Sequence, residues 1–68
     1  MQSHVKYPEI TVTLLGTDGN AFALISKVRS ALRHGNVHAN EIRSFTTEAM
    51  AGDYDHVLQT ILATVNVH

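Results

Sequence analysis

Residues 10–35 read ITVTLLGTDGNAFALISKVRSALRHG, and three patterns follow one another within them. The first, over 10–15, alternates: Ile10, Val12 and Leu14 fall on one face and Thr11, Thr13 and Leu15 on the other. That is the pattern of a strand with one buried side. The second is Gly16-Thr17-Asp18-Gly19-Asn20. Glycine tolerates positive φ, and Asx side chains bond nearby backbone, so this stretch predicts a turn. The third begins at Ala21, where the period becomes helical. Ala21, Leu24, Ile25, Val28, Ala31 and Leu32 fall at i, i+3, i+4 and i+7 and make one apolar stripe, with Phe22 beside it. Asn20, or Asp18, is the expected N-cap. Gly35 is the expected left-handed C-terminal residue, and Arg33 and His34 suit the negative end of the helix.

Residues 1–9 (MQSHVKYPE), on the N-terminal side, are polar and mixed. Pro8 excludes helix and holds Tyr7 extended, so this segment is read as a tail or an edge strand. Beyond Gly35 a short connector leads to a second helix over 41–51. It is capped by Asn40 or His38, turned inward on Ile42, Phe45, Ala49 and Met50, and ended by Gly52. Asp53 caps a third helix whose stripe is Tyr54, Val57, Leu58, Ile61 and Leu62, continued by Val65. From Thr64 to His68 the period returns to two, which predicts a short final strand. The chain is therefore read as one α+β domain over 10–68, in the order β-α-α-α-β, with a two-stranded sheet packed on three helices. Two strands alone are marginal and leave open edges. The sheet is accordingly expected to be extended by oligomerisation, a dimer or larger.

Composition narrows the function classes. The 68 residues include no cysteine, which removes disulfides and thiolate metal sites. With 44% hydrophobic and 16% charged residues the chain is globular rather than disordered. A net charge of −1 supplies no global field for nucleic acid or anionic lipid, so nucleic-acid binding is not expected. No apolar run has the length of a membrane span, and residues 1–9 lack the basic start and apolar middle of a signal peptide. A cytoplasmic protein without membrane contact is expected.

The words Gly19-Asn20-Ala21-Phe22 and Gly52-Asp53-Tyr54-Asp55, with Gly16, Val28, Ala31-Leu32, Gly35, Glu41-Ile42, Phe45, Glu48-Ala49 and Leu58 between and around them, carry a resemblance. Over residues 8–68 the chain resembles a group of small uncharacterised proteins of bacteria, phages and mobile elements. The pattern departs at His38, where the group places a serine cap, and at Ala63-Thr64, where it places an aromatic residue. The resemblance implies a fold unit and a phage-like setting, hence the host cytoplasm if a phage encodes the chain, and no catalytic residue.

Two ligand sites are conceivable. The turn 16–20 presents backbone N–H groups at a helix N-terminus, where anions bind; Gly16 and Gly19 allow close approach, and Thr17 and Asn20 add hydrogen bonds. Against this, no Walker lysine follows, Asp18 repels phosphate, and a plain strand-to-helix turn wants the same residues. The first helix is basic, with Lys27, Arg29, Arg33 and His34. Arg29 and Arg33, at i and i+4, suit a phosphate or an acidic partner, or simply a solvated face. The tentative ligand set is thus Gly16, Thr17, Gly19, Asn20, Arg29 and Arg33. His34 and His38 are separated by a helix break, so no metal is assigned. Asp53, Tyr54, Asp55 and His56 are read as cap and packing rather than acid–base apparatus. No nucleophile stands in a catalytic context, and no cofactor is expected.

The resulting expectation is a small non-enzymatic binding protein, an accessory of counter-defence type that binds a host protein or sequesters a signal. The alternatives are a binder of nucleotides or other anionic small molecules at the turn 16–20 and the basic first helix, and a structural subunit of a larger assembly.

Overall fold

A computed structural model describes residues 5–14, 16 and 19–68. The elements are β1 (Tyr7–Val12), α1 (Ala21–His34), α2 (Ala39–Ala49), α3 (Tyr54–Thr64) and β2 (Val65–Val67). The order is β-α-α-α-β and the class α+β. The two strands run parallel, so the three helices form the crossover that parallel pairing requires.

β1 starts and stops three residues earlier than the alternation over 10–15 suggests. The partner strand decides this: Tyr7 stands opposite Val65, Thr11 opposite Asn66 and Val12 opposite Val67, with an irregularity between Tyr7 and Thr11. Pro8 is accommodated because a two-stranded sheet consists of edges, where a missing donor costs little. Where the register slips, the Asn66 side-chain amide donates to the Pro8 carbonyl and replaces a ladder bond. The alternation itself holds, since Ile10 and Val12 are buried while Thr11 and Thr13 are exposed. Leu15 lies outside the described residues.

α1 has the expected bounds. Asn20 caps it, its Oδ1 accepting the Phe22 N–H at 2.8 Å. Its exit differs from expectation. Gly35 has φ −85°, which any residue can adopt, and the left-handed position is Asn36 at φ 63°. The Asn36 N–H donates to the Arg33 carbonyl at 3.1 Å and the Val37 N–H to the Leu32 carbonyl at 3.0 Å, the paired bonds of a Schellman ending. Gly35 is needed for space instead. A Cβ there would lie 2.6 Å from Cδ1 of Ile10.

α2 begins and ends two residues before the expected 41–51 because His38, not Asn40, is its cap, with Nδ1 accepting the Asn40 N–H. Gly52 does not terminate it. A Cβ at Gly52 would sit 2.8 Å from Cβ and Cγ of His56, whose Nε2 reaches back to the Glu48 carbonyl at 2.9 Å and the Glu48 carboxylate at 3.0 Å.

α3 is capped by Asp53, whose Oδ1 accepts the His56 N–H at 3.0 Å. Its buried face is rotated from the expected stripe. Val57, Thr60, Ile61 and Thr64 point inward, whereas Tyr54 and Leu62 are exposed. Thr60 and Thr64 tolerate burial because each hydroxyl donates to the carbonyl four residues back, at 2.8 and 2.7 Å. The core joins Ile10 and Val12 to the inner faces of all three helices and to Val65; Val28, Leu32, Ile61 and Val65 are fully enclosed. No helix among the described residues is long and apolar enough to cross a membrane.

Candidate functional site

Four residues connect α1 to α2, a length that folds the second helix back beside the first. Between them runs a groove of about 360 Å³, lined from α1 by Arg29 and Arg33 and from α2 by Ala39, Ile42, Arg43, Thr46 and Thr47. The chain has three arginines, and all three line this groove.

The charge there runs against the molecule's balance, since the whole chain carries −1. Among the described residues none of the three guanidinium groups makes an ion pair, although all are exposed and permanently charged. Glu41 pairs with Lys6 at 2.6 Å, Glu48 with His56 at 3.0 Å, and Asp53 is held by its capping bond. The Lys6 hydrogen bond and charge hold the Glu41 carboxyl below its ordinary value, and the hydrogen bond to Glu41, with the charges of Tyr7 and Glu41, raises the Lys6 ammonium above its own. Arg29 and Arg33 at i, i+4 repel one another by a few tenths of a kcal/mol, and Arg43 adds to the field. An anion lying among the three relieves that repulsion and receives planar, fork-like donors suited to phosphate or carboxylate.

Ile42 and Ala39 form an apolar floor, and the Thr46 hydroxyl donates to the Ile42 carbonyl at 2.9 Å. Among the described residues no histidine or carboxylate lines the groove. What it offers a ligand is positive charge and hydrogen-bond donors. Among the described residues no cluster of three His, Cys, Asp or Glu could hold a metal ion.

No described residue of the turn 16–20 lines the arginine groove. Gly16 has φ +81° and serves the turn, and the Asn20 side chain caps α1. Gly19 backs onto α3, where a Cβ would lie 3.8 Å from the Tyr54 hydroxyl. Thr17 lies outside the described residues. Lys27 and His34 are absent from the lining as well. The sequence reading does not include Arg43. Its signal was positional, since it is the single basic residue of α2 and a short connector brings that helix against α1.

No family model, curated protein or solved structure matches the chain.

Proposed function

We propose that this is a small non-enzymatic binding protein that holds the anionic group of a partner in the groove between α1 and α2. The observation that carries this reading is the gathering of Arg29, Arg33 and Arg43, unpaired among the described residues, in a chain of net charge −1. The shared chemistry of the ligand is a phosphate or a carboxylate cluster. Among the described residues no aromatic ring lines this groove to stack a nucleobase, so a nucleotide is the less favoured form of the same reading. The accessory role implied by the resemblance takes, in this proposal, the form of capturing an acidic surface of a host protein.

The test is titration with pyrophosphate and with citrate, followed on the arginine Nε–H resonances. Saturable shifts at all three arginines are expected. They should weaken as salt is raised and the Debye length falls from about 8 Å to about 3 Å. Arg29→Gln combined with Arg43→Gln should remove them. Unperturbed arginine resonances at low salt with either anion refute the proposal.

A further inference from the structure

A second groove, of about 190 Å³, lies where the start of α1 meets the end of α2 and the start of α3. Phe22, Ile25, Ala49, Met50 and Tyr54 line it, with Asp53 at its end. The described residues include four exposed large apolar side chains, and three of them meet here: Phe22 at 66% exposure, Met50 at 52% and Tyr54 at 46%. Exposed apolar groups gathered in this way mark an interaction surface.

Helical spacing joins the two grooves into one strip. Ile25 and Arg29 are i, i+4 neighbours on α1, and Thr46 precedes Met50 by the same interval at the end of α2. Arg29 stands two turns beyond Phe22, and Met50 two turns beyond Arg43, so each pair shares a side of its helix. The strip is basic where α1 ends and α2 begins, and apolar where α1 begins and α2 ends. From Phe22 to Arg33 it measures about 16 Å, three turns of a helix laid along it.

We infer that the occupant of this strip is an amphipathic helix of a partner protein, with acidic residues over the arginines and apolar anchors in the Phe22–Met50–Tyr54 end. The inference rests on the anion-groove reading and deepens it. Helix-in-groove recognition uses anchors at i, i+3, i+4 and i+7, and the two-turn spacing of the strip supplies matching seats. Charge decides against other occupants. A nucleic-acid strand would carry phosphates past Asp53 at the apolar end. A second copy of this chain offers no helix with acids at one end and apolar anchors at the other: Glu41, Glu48 and Asp53 hold partners of their own, and the remaining described acids, Glu9 and Asp55, lie apart on β1 and α3.

The test uses two synthetic helical peptides of about 14 residues, roughly four turns. One has glutamates in one half and leucines at i, i+3 and i+4 in the other; its counterpart replaces the leucines by glutamine. Anisotropy should show the leucine peptide binding about tenfold more tightly, with resonance shifts at Phe22 and Met50 as well as at the arginines. Phe22→Ser with Met50→Ser, both exposed positions whose folding is checked by circular dichroism, should reduce that affinity to the counterpart's and leave pyrophosphate binding unchanged. Equal binding of the two peptides, or an unaltered affinity in the double variant, overturns the inference while the groove reading stands. AMP or ATP shifting both ends of the strip and losing affinity in the double variant overturns it in favour of a nucleotide. If neither peptide nor pyrophosphate moves the arginines, both readings fall together.

Discussion

Gly35→Ala separates two explanations of one glycine. With φ −85°, position 35 imposes no backbone demand for glycine, so conformational entropy alone favours alanine by about 0.4–1 kcal/mol. Space opposes it. The new Cβ would stand 2.6 Å from Cδ1 and 3.1 Å from Cγ1 of Ile10, a core residue only 8% exposed. Ile10 must then leave its rotamer or push β1 away from α1, an overpacking that costs about 1–3 kcal/mol. The net expectation is a loss of roughly 0.5–2 kcal/mol. At a urea m-value of about 1 kcal/mol/M, the midpoint falls by roughly 0.5–2 M. The decisive measurement is the same substitution in an Ile10→Val background, which removes the atom at 2.6 Å. The alanine should become neutral or favourable there, giving a coupling energy of at least about 0.5 kcal/mol. A stabilising Gly35→Ala in the wild-type background, or an equal loss in both backgrounds, refutes the steric account.

Asp53→Ala should lower stability by about 1 kcal/mol through loss of the α3 cap, read by urea denaturation. Ile61, fully enclosed, should cost about 2–5 kcal/mol when cut to alanine; a core this small supplies about 3–5 kcal/mol, so far-UV circular dichroism at 25 °C should show a largely unfolded chain. The Lys6–Glu41 pair sets a pH signature. Because the Glu41 carboxyl is lowered, its stabilisation is present above the ordinary value of 4.5 and is lost as pH falls through the lowered one; because the Lys6 ammonium is raised, its share is lost only as pH rises beyond 10.5. The midpoint difference between wild type and Glu41→Gln should therefore be flat through neutral pH and vanish in acid; a difference that persists in strong acid refutes the pairing. Sedimentation at micromolar concentration tests self-association at the sheet margins, and a monomer throughout removes it.

The parts of the fold legible in the sequence were those fixed by local chemistry. Asn20 and Asp53 cap helices because their oxygens reach N–H groups two and three residues on, and both were readable as caps from type and position. Non-local decisions were not readable. The extent of β1 depends on a partner at Val65, and the role of Gly35 depends on Ile10. The inward face of α3 was obscured because Thr60 and Thr64 look polar until their hydroxyls are seen returned to the helix's own carbonyls. Of the candidate site, Arg29 and Arg33 were visible as an i, i+4 pair. Arg43 was not, because packing rather than spacing brings it to them.

The parallel ladder ties residue 12 to residue 67, and the His68 N–H closes on the Val12 carbonyl at 2.9 Å. Such a clasp spans almost the whole described polypeptide, whereas helix-to-helix neighbours are close in sequence. Loop-closure entropy therefore ranks the clasp as the most expensive contact to form early. On that ranking the helices are expected to assemble first and the clasp to shut behind them. Weakening it at Asn66 would speed escape from the native state more than it slows arrival.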